Sequence, residues 1–170
     1  SFDRIVIDSP RPRLGIITTG KAYLDVRQAL ESLGIDEKRA GDLGIRVFKI
    51  GMSWPLDSHG LRAFAEGLEE ILVVEEKRPL LEDQVKAQLY DLPESRRPRV
   101  IGKFDEDGRR VLCTAGILTP SEVASLIGGR ILRTANDASI RDRLDYLAAR
   151  GDQRRNQAPV NARAPYFCSG

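Results

Sequence analysis

Four stretches carry side chains able to do chemistry. Gly15-Ile16-Ile17-Thr18-Thr19-Gly20-Lys21-Ala22 comes close to a phosphate-binding loop, in which backbone N–H groups and a lysine hold phosphates. Ala22 stands where such a loop needs a hydroxyl for magnesium, and Ile16 and Ile17 read as strand. What remains is a helix start with Thr18, Thr19, Gly20 and Lys21 about it. That is either a plain strand-to-helix turn or a weak site for an anion. Glu70-Ile71-Leu72-Val73-Val74-Glu75-Glu76-Lys77-Arg78-Pro79 runs from an unbroken apolar segment into four charged residues. Such a run reads as a strand buried on both faces, and the charges mark where it leaves the core. Glu75, Glu76, Lys77 and Arg78 are then a solvated loop, an anion site or an interface. The third stretch, Gly51 to Asp57, holds Trp54, the single tryptophan, beside Pro55, in a loop after a strand. It is a lid on the core or an interface anchor. The fourth is Cys168, beside Ser169-Gly170, which could open a Cys-x-x-Cys ligand pair. His59 has no nucleophile or acid at a recognisable spacing and reads as structural, and Cys113 reads as a small buried apolar residue.

The elements that must position these residues alternate. Strands are expected near 4–7, 14–18, 45–50, 71–76 and 100–104. Ala22, Val26, Ala29, Leu30 and Leu33 share one helical stripe, and Gly34 ends that helix. Leu61, Phe64, Ala65 and Leu68 form a second apolar face, with Asp57 or Ser58 as its cap. Leu81, Val85 and Leu89 form a third, with Pro79 in its first turn. Thr119-Pro120-Ser121-Glu122 is a capping box, and Ile140, Leu144, Leu147 and Ala148 make a last stripe. Asp105 to Gly108 signals a tight turn, after which 110–113 is expected to pair back. The pattern predicts a three-layer α/β/α domain over 13–150 with a five-stranded, mostly parallel mixed sheet. Residues 1–12 supply an antiparallel edge strand and a proline turn. After Gly151 the composition turns polar and aperiodic, so 151–170 reads as a linker.

Bulk properties narrow the classes of function. The chain has 170 residues, one domain of ordinary size. A net charge of +2 gives no general case for nucleic acid or membrane as partners. No apolar run approaches the ~20 residues of a membrane-spanning helix. Two cysteines are too few for a disulfide framework, which points to a reducing, cytoplasmic compartment. The first residue is not methionine, and the chain stops after an aromatic pair, so a segment of a longer polypeptide is expected.

Trp54-Pro55-Leu56-Asp57 after a strand, followed by Ile71-Leu72-Val73-Val74-Glu75-Glu76, resembles the carboxy-terminal domain of transketolase-like thiamine enzymes. More narrowly, residues 14–26, 43–57 and 69–91 are similar to the middle of indolepyruvate:ferredoxin oxidoreductases. Ala164 to Gly170 resembles that family's entry into its thiamine-diphosphate domain. The resemblance implies a parent enzyme that decarboxylates an aryl-2-oxoacid on thiamine diphosphate with magnesium. Electrons would pass through iron–sulfur clusters to ferredoxin, and the acyl group would go to coenzyme A. It implies a homo-oligomer whose cofactor-binding residues lie in flanking domains, and Cys168 as a cluster ligand in the longer protein only. This segment alone is expected to bind no cofactor, to be inactive, and to orient the catalytic domains. Trp54, Pro55, Asp57, Glu75 and Glu76 would form its interface. The alternative is a stand-alone module taking an anion or nucleotide at Thr18, Thr19, Gly20, Lys21, Lys77 and Arg78.

Overall fold

The computed structural model describes residues 2–112 and 117–157. Five strands form one sheet: β1 (Arg4–Ile7), β2 (Leu14–Thr19), β3 (Ile45–Ile50), β4 (Glu70–Val74) and β5 (Arg99–Ile101). Their order is β1-β3-β2-β4-β5. β1 is antiparallel to β3, and every other pairing is parallel. The expected five-stranded mixed sheet with one antiparallel edge is therefore present, with β2 at its centre and β4 beside it.

Two helical layers follow from the pleat. Ile16, Val47, Leu72 and Val74 point to one face, where they meet α1 (Gly20–Ser32) and α5 (Pro120–Leu132). Ile17, Phe48, Ile71 and Val73 point to the other, against α3 (Ser58–Ala65) and α4 (Leu80–Leu89). All four residues Ile71 to Val74 are fully buried, as an unbroken apolar strand under two helical layers must be. α2 (Glu37–Asp42) is a short helix between α1 and β3, with the Asp36 side chain accepting from Arg39 N–H. Thr119 and Glu122 form the expected capping box on α5.

Three boundaries differ from the sequence reading. β4 ends at Val74, because Glu75 turns inward to a helix end. β5 stops at Ile101, and the pairing beyond it is a single bridge between Phe104 and Arg110. Residue 113 lies outside the described residues. α6 (Ala138–Gln157) continues through the first seven residues assigned to a linker. Arg and Gln sustain a helix already nucleated, and the first helix-breaking proline comes at Pro159. The rest of that stretch, with Cys168, is outside the described residues.

At the amino edge of the sheet the buried Arg130 donates to Glu106 at 2.9 Å and to both oxygens of Glu70. The Glu106 carboxyl is held down to about 2 by its own backbone N–H and by Arg130.

Gly15 tests the packing. A Cβ there would lie 2.5 Å from Leu68 Cδ1 and 2.8 Å from Phe64 Cζ. Phe64 is itself stacked on Phe48, centroids 4.9 Å apart, and cannot yield freely. Gly15→Ala should lower stability by about 1–3 kcal/mol through overpacking, read from the urea midpoint at constant m.

Candidate functional site

The carboxyl edge of the sheet holds a cleft of about 660 Å³ between the starts of α1 and α4. Thr19, Gly20 and Lys21 line one side, and Glu75, Glu76, Lys77 and Arg78 the other. Two stretches singled out from sequence thus meet at one place, although more than fifty residues separate them along the chain. Open parallel sheets put ligand and partner sites at this edge because the helix starts gather there.

The side chains are not equally available. Thr19 Oγ1 donates to the carbonyl of Ile50 at 3.0 Å, which ties the turn to β3. It gives α1 no side-chain cap, and no acidic residue lies in the helix's first turn. Thr18 is fully buried in β2 and does not line the cleft. Lys21 Nζ sits 2.7 Å from Asp25 and 3.7 Å from Glu76, and donates to the Leu118 carbonyl at 3.4 Å. Those partners hold its pKa above the ordinary lysine value, Asp25 first. Lys77 and Arg78 are exposed and form no ion pair among the described residues. Lys77 takes a left-handed φ of 55°, which turns the chain sharply out of the sheet.

Glu75 overturns the solvated-loop reading for its part of the charge run. It is 4% exposed. Its two oxygens accept from the backbone N–H groups of Leu81 at 2.8 Å and Glu82 at 3.0 Å. It therefore caps α4 from six residues upstream, a task that Pro79 at the N-cap position cannot perform. A carboxylate at a helix start also faces the positive end of the dipole. Burial still dominates and raises the Glu75 pKa, against the two N–H groups and Lys103, which lower it.

Lys103 and Glu82 complete this cluster, and the sequence reading missed both. Lys103 is 1% exposed and donates from Nζ to the Glu75 carbonyl. Glu82 accepts from Lys103 N–H at 2.8 Å and from Lys86 Nζ at 2.6 Å. Gly102 permits this, since a Cβ there would overlap the Glu82 carboxylate at 2.0 Å. The one sequence signal was the i,i+4 spacing of Glu82 and Lys86. Nothing local announced that Lys103 turns inward.

The loop after β3 is held from the same helix. Gln84 donates to the Ser53 carbonyl at 2.8 Å and accepts from Leu56 N–H at 2.9 Å. Gln88 donates to the Leu56 carbonyl at 2.9 Å. Asp57 caps α3, accepting from His59 N–H at 3.1 Å. Between these anchors Trp54 is 67% exposed, so it is no lid on this core, and Pro55 is exposed beside it. Met52, Leu80 and Ile117 are exposed on the same edge. Phe2 joins them, because the neighbouring Asp3 accepts from Gly51 and Met52 N–H at 2.7 and 3.3 Å. No group of three or more His, Cys, Asp or Glu side chains among the described residues is arranged to hold a metal. No described helix is long and apolar enough to cross a membrane.

The sequence pattern of the indolepyruvate oxidoreductase domain matches residues 4–154. The chain belongs to that domain family. Indolepyruvate oxidoreductase subunits IorA of Thermococcus kodakarensis and Pyrococcus abyssi are 37% and 38% identical over 79 residues, 46% of this chain. The subunit of Methanothermobacter thermautotrophicus is 36% identical over 86 residues, 51% of this chain. The matched region is 11–13% of those relatives' length, so this indolepyruvate oxidoreductase domain corresponds to a small part of them. Among solved structures, a 2-oxoglutarate:ferredoxin oxidoreductase from Magnetococcus marinus superposes at TM-score 0.53 with 18% identity. That superposition takes in 76% of this chain and 19% of the other, and shows a shared fold. A split-gene transketolase aligns less closely, at TM-score 0.48.

Two outcomes follow for the buried cluster. Lys103→Met should cost about 1–3 kcal/mol, because it leaves the buried Glu75 carbonyl without its charged donor and takes a cation away from the Glu75 carboxylate; denaturant titration measures it. Glu75 also sets a pH dependence. Its folded pKa lies above the unfolded value near 4.5, so the native state holds the proton more tightly. Its contribution is complete below 4.5 and declines as pH rises through the raised value. The Glu106 contribution has the opposite sign, being complete above 4.5 and lost as pH falls towards 2. As pH rises above 4.5 wild type should therefore lose stability relative to Glu75→Gln, and the loss should level off once Glu75 is ionised in the folded state, seen as converging or crossing urea midpoints.

Proposed function

We propose that this domain packs and orients the catalytic domains of an indolepyruvate-type 2-oxoacid:ferredoxin oxidoreductase, and that its carboxyl edge is the meeting surface. The observation that carries the reading is Trp54. A large aromatic side chain stands exposed on a loop fastened to α4 by Gln84 and Gln88. Met52, Leu80, Ile117 and Phe2 stand exposed on the same edge. An exposed apolar group around a rigid aromatic is the composition of an interface centre. Glu76, Lys77 and Arg78 supply a charged rim, as interfaces of this kind carry. Pro55 and Asp57 hold the shape of the Trp54 loop, and Glu75 acts on that surface from beneath, through α4.

In this reading the parent enzyme is cytoplasmic and homo-oligomeric. Thiamine diphosphate, magnesium, iron–sulfur clusters and coenzyme A belong to its other domains, and ferredoxin is its electron acceptor. The family and the relatives' names support an indolepyruvate oxidoreductase as the parent; the cofactors, acceptor, location and assembly are what the resemblance implies. Cys168 would be a cluster ligand contributed by the chain beyond the described residues. The domain alone carries no turnover.

Trp54→Ala and Glu76→Lys in the longer enzyme test the proposal. Both should reduce assembly, measured by analytical ultracentrifugation, while the melting temperature of the isolated 170-residue chain moves little. Losing one hot-spot aromatic corresponds to about 2 kcal/mol or more of binding. Equal losses in assembly and in the melting of the isolated chain would count against an interface role.

A further inference from the structure

A second surface lies away from the carboxyl-edge cleft. A hollow of about 740 Å³ runs between α3 and the 92–97 segment, with Ala63, Ala65, Leu68 and Leu92 as its apolar floor. A hollow of about 550 Å³ opens at the starts of β2, β4 and β5. The two share Glu69 and Arg97 and so form one groove.

The groove is rich in guanidinium groups. Arg62, Arg96 and Arg97 line the first hollow. Arg13, Arg99, Arg130 and Arg133 line the second. Four carboxylates stand against these seven. Glu69 pairs with Arg13 at 2.7 Å, and Glu66 lies 3.9 Å from Arg96. Glu70 pairs with Arg130, while Glu106 is shared by Arg99, Arg130 and Arg133. Arg62 forms no ion pair among the described residues, and Arg97 only donates to the Tyr90 carbonyl at 2.9 Å and lies over its ring. The local excess of three positive charges exceeds the net +2 of the whole chain. Like charges gathered on a low-dielectric surface raise the local potential and attract an opposite one.

We propose that this groove docks an acidic, partly apolar polypeptide segment of a partner protein. Arg62 on α3 and Arg97 on the 92–97 segment lie on opposite banks of the apolar floor. Carboxylates along an extended chain can reach both banks while apolar side chains between them cover Ala63 and the half-buried Leu92, which the buried Ala65 and Leu68 back from beneath. A lone phosphate would leave that floor wet. Arginine suits the task, since its planar fork meets carboxylates two bonds at a time.

Fluorescence anisotropy with a labelled peptide of alternating glutamate and leucine, titrated with the 170-residue chain, tests this. Expected are saturable binding that weakens with salt, and a loss of about tenfold or more in Arg62→Glu/Arg97→Glu. Replacing leucine by serine in the peptide should also weaken binding. If the charge-reversed variant unfolds, Arg62→Gln/Arg97→Gln serves in its place, with the same direction of change. Three results would each overturn the proposal: no saturable binding, binding unchanged in the arginine variant that folds, or displacement by inorganic tripolyphosphate at lower concentration than by unlabelled peptide.

Discussion

The Glu75 carboxylate is the contact on which the working edge of this domain depends. It lies at the end of an inner strand, out of water, and accepts two N–H groups at the start of α4. The N-cap position is Pro79, which offers those N–H groups no side-chain acceptor. Lys103, just after β5, and Glu82 of α4 close the cluster. One carboxylate thus sets where β4 ends, where α4 begins and how the β5 end folds over. Its burial is unfavourable by itself, which the raised pKa records. The hydrogen bonds it completes are what keep it there.

From α4 the constraint passes to the surface. Gln84 and Gln88 hold the loop after β3, and that loop presents Trp54. The exposed aromatic therefore rests on a hydrogen-bonded foundation traceable to Glu75. In the proposed interface, a Trp54 held this way would lose little conformational freedom on docking, so less of the contact energy would be offset by ordering. The two ends of the sheet also differ in character. The carboxyl edge carries exposed apolar side chains around a small cleft, whereas the amino side carries arginines above an apolar floor.

Much of the fold was legible along the chain. The apolar run Ile71 to Val74 specifies a strand buried on both faces, and all four residues are fully buried. The stripe from Ala22 to Leu33 buries as its spacing requires, and Thr119 and Glu122 cap α5 through purely local contacts. These succeeded because period and capping depend on neighbours within a few residues. The charge run after β4 was the instructive difference. Glu75 and Glu76 are adjacent and chemically alike, yet one is buried and the other exposed. Lys103 and Arg130 are likewise long cations in polar-looking contexts that the fold buries. Likewise α6 runs past Gly151 because helix propagation prevails over a polar composition.

The amino-acid sequence by itself determined the alternation of strand and helix, the mixed sheet with its antiparallel edge, and the family. Each is encoded in short-range periodicity or in residue patterns that survive without knowledge of contacts. Only the tertiary structure decided which charges work inside. Glu75 meets α4 because the turn at Lys77 reverses the chain, and Lys103 meets Glu75 because β5 lies beside β4. The same holds for the arginine groove, whose cations come from four separate parts of the chain. Burial of a charge is settled by partners distant in sequence, and residue type alone says nothing about which partner will arrive.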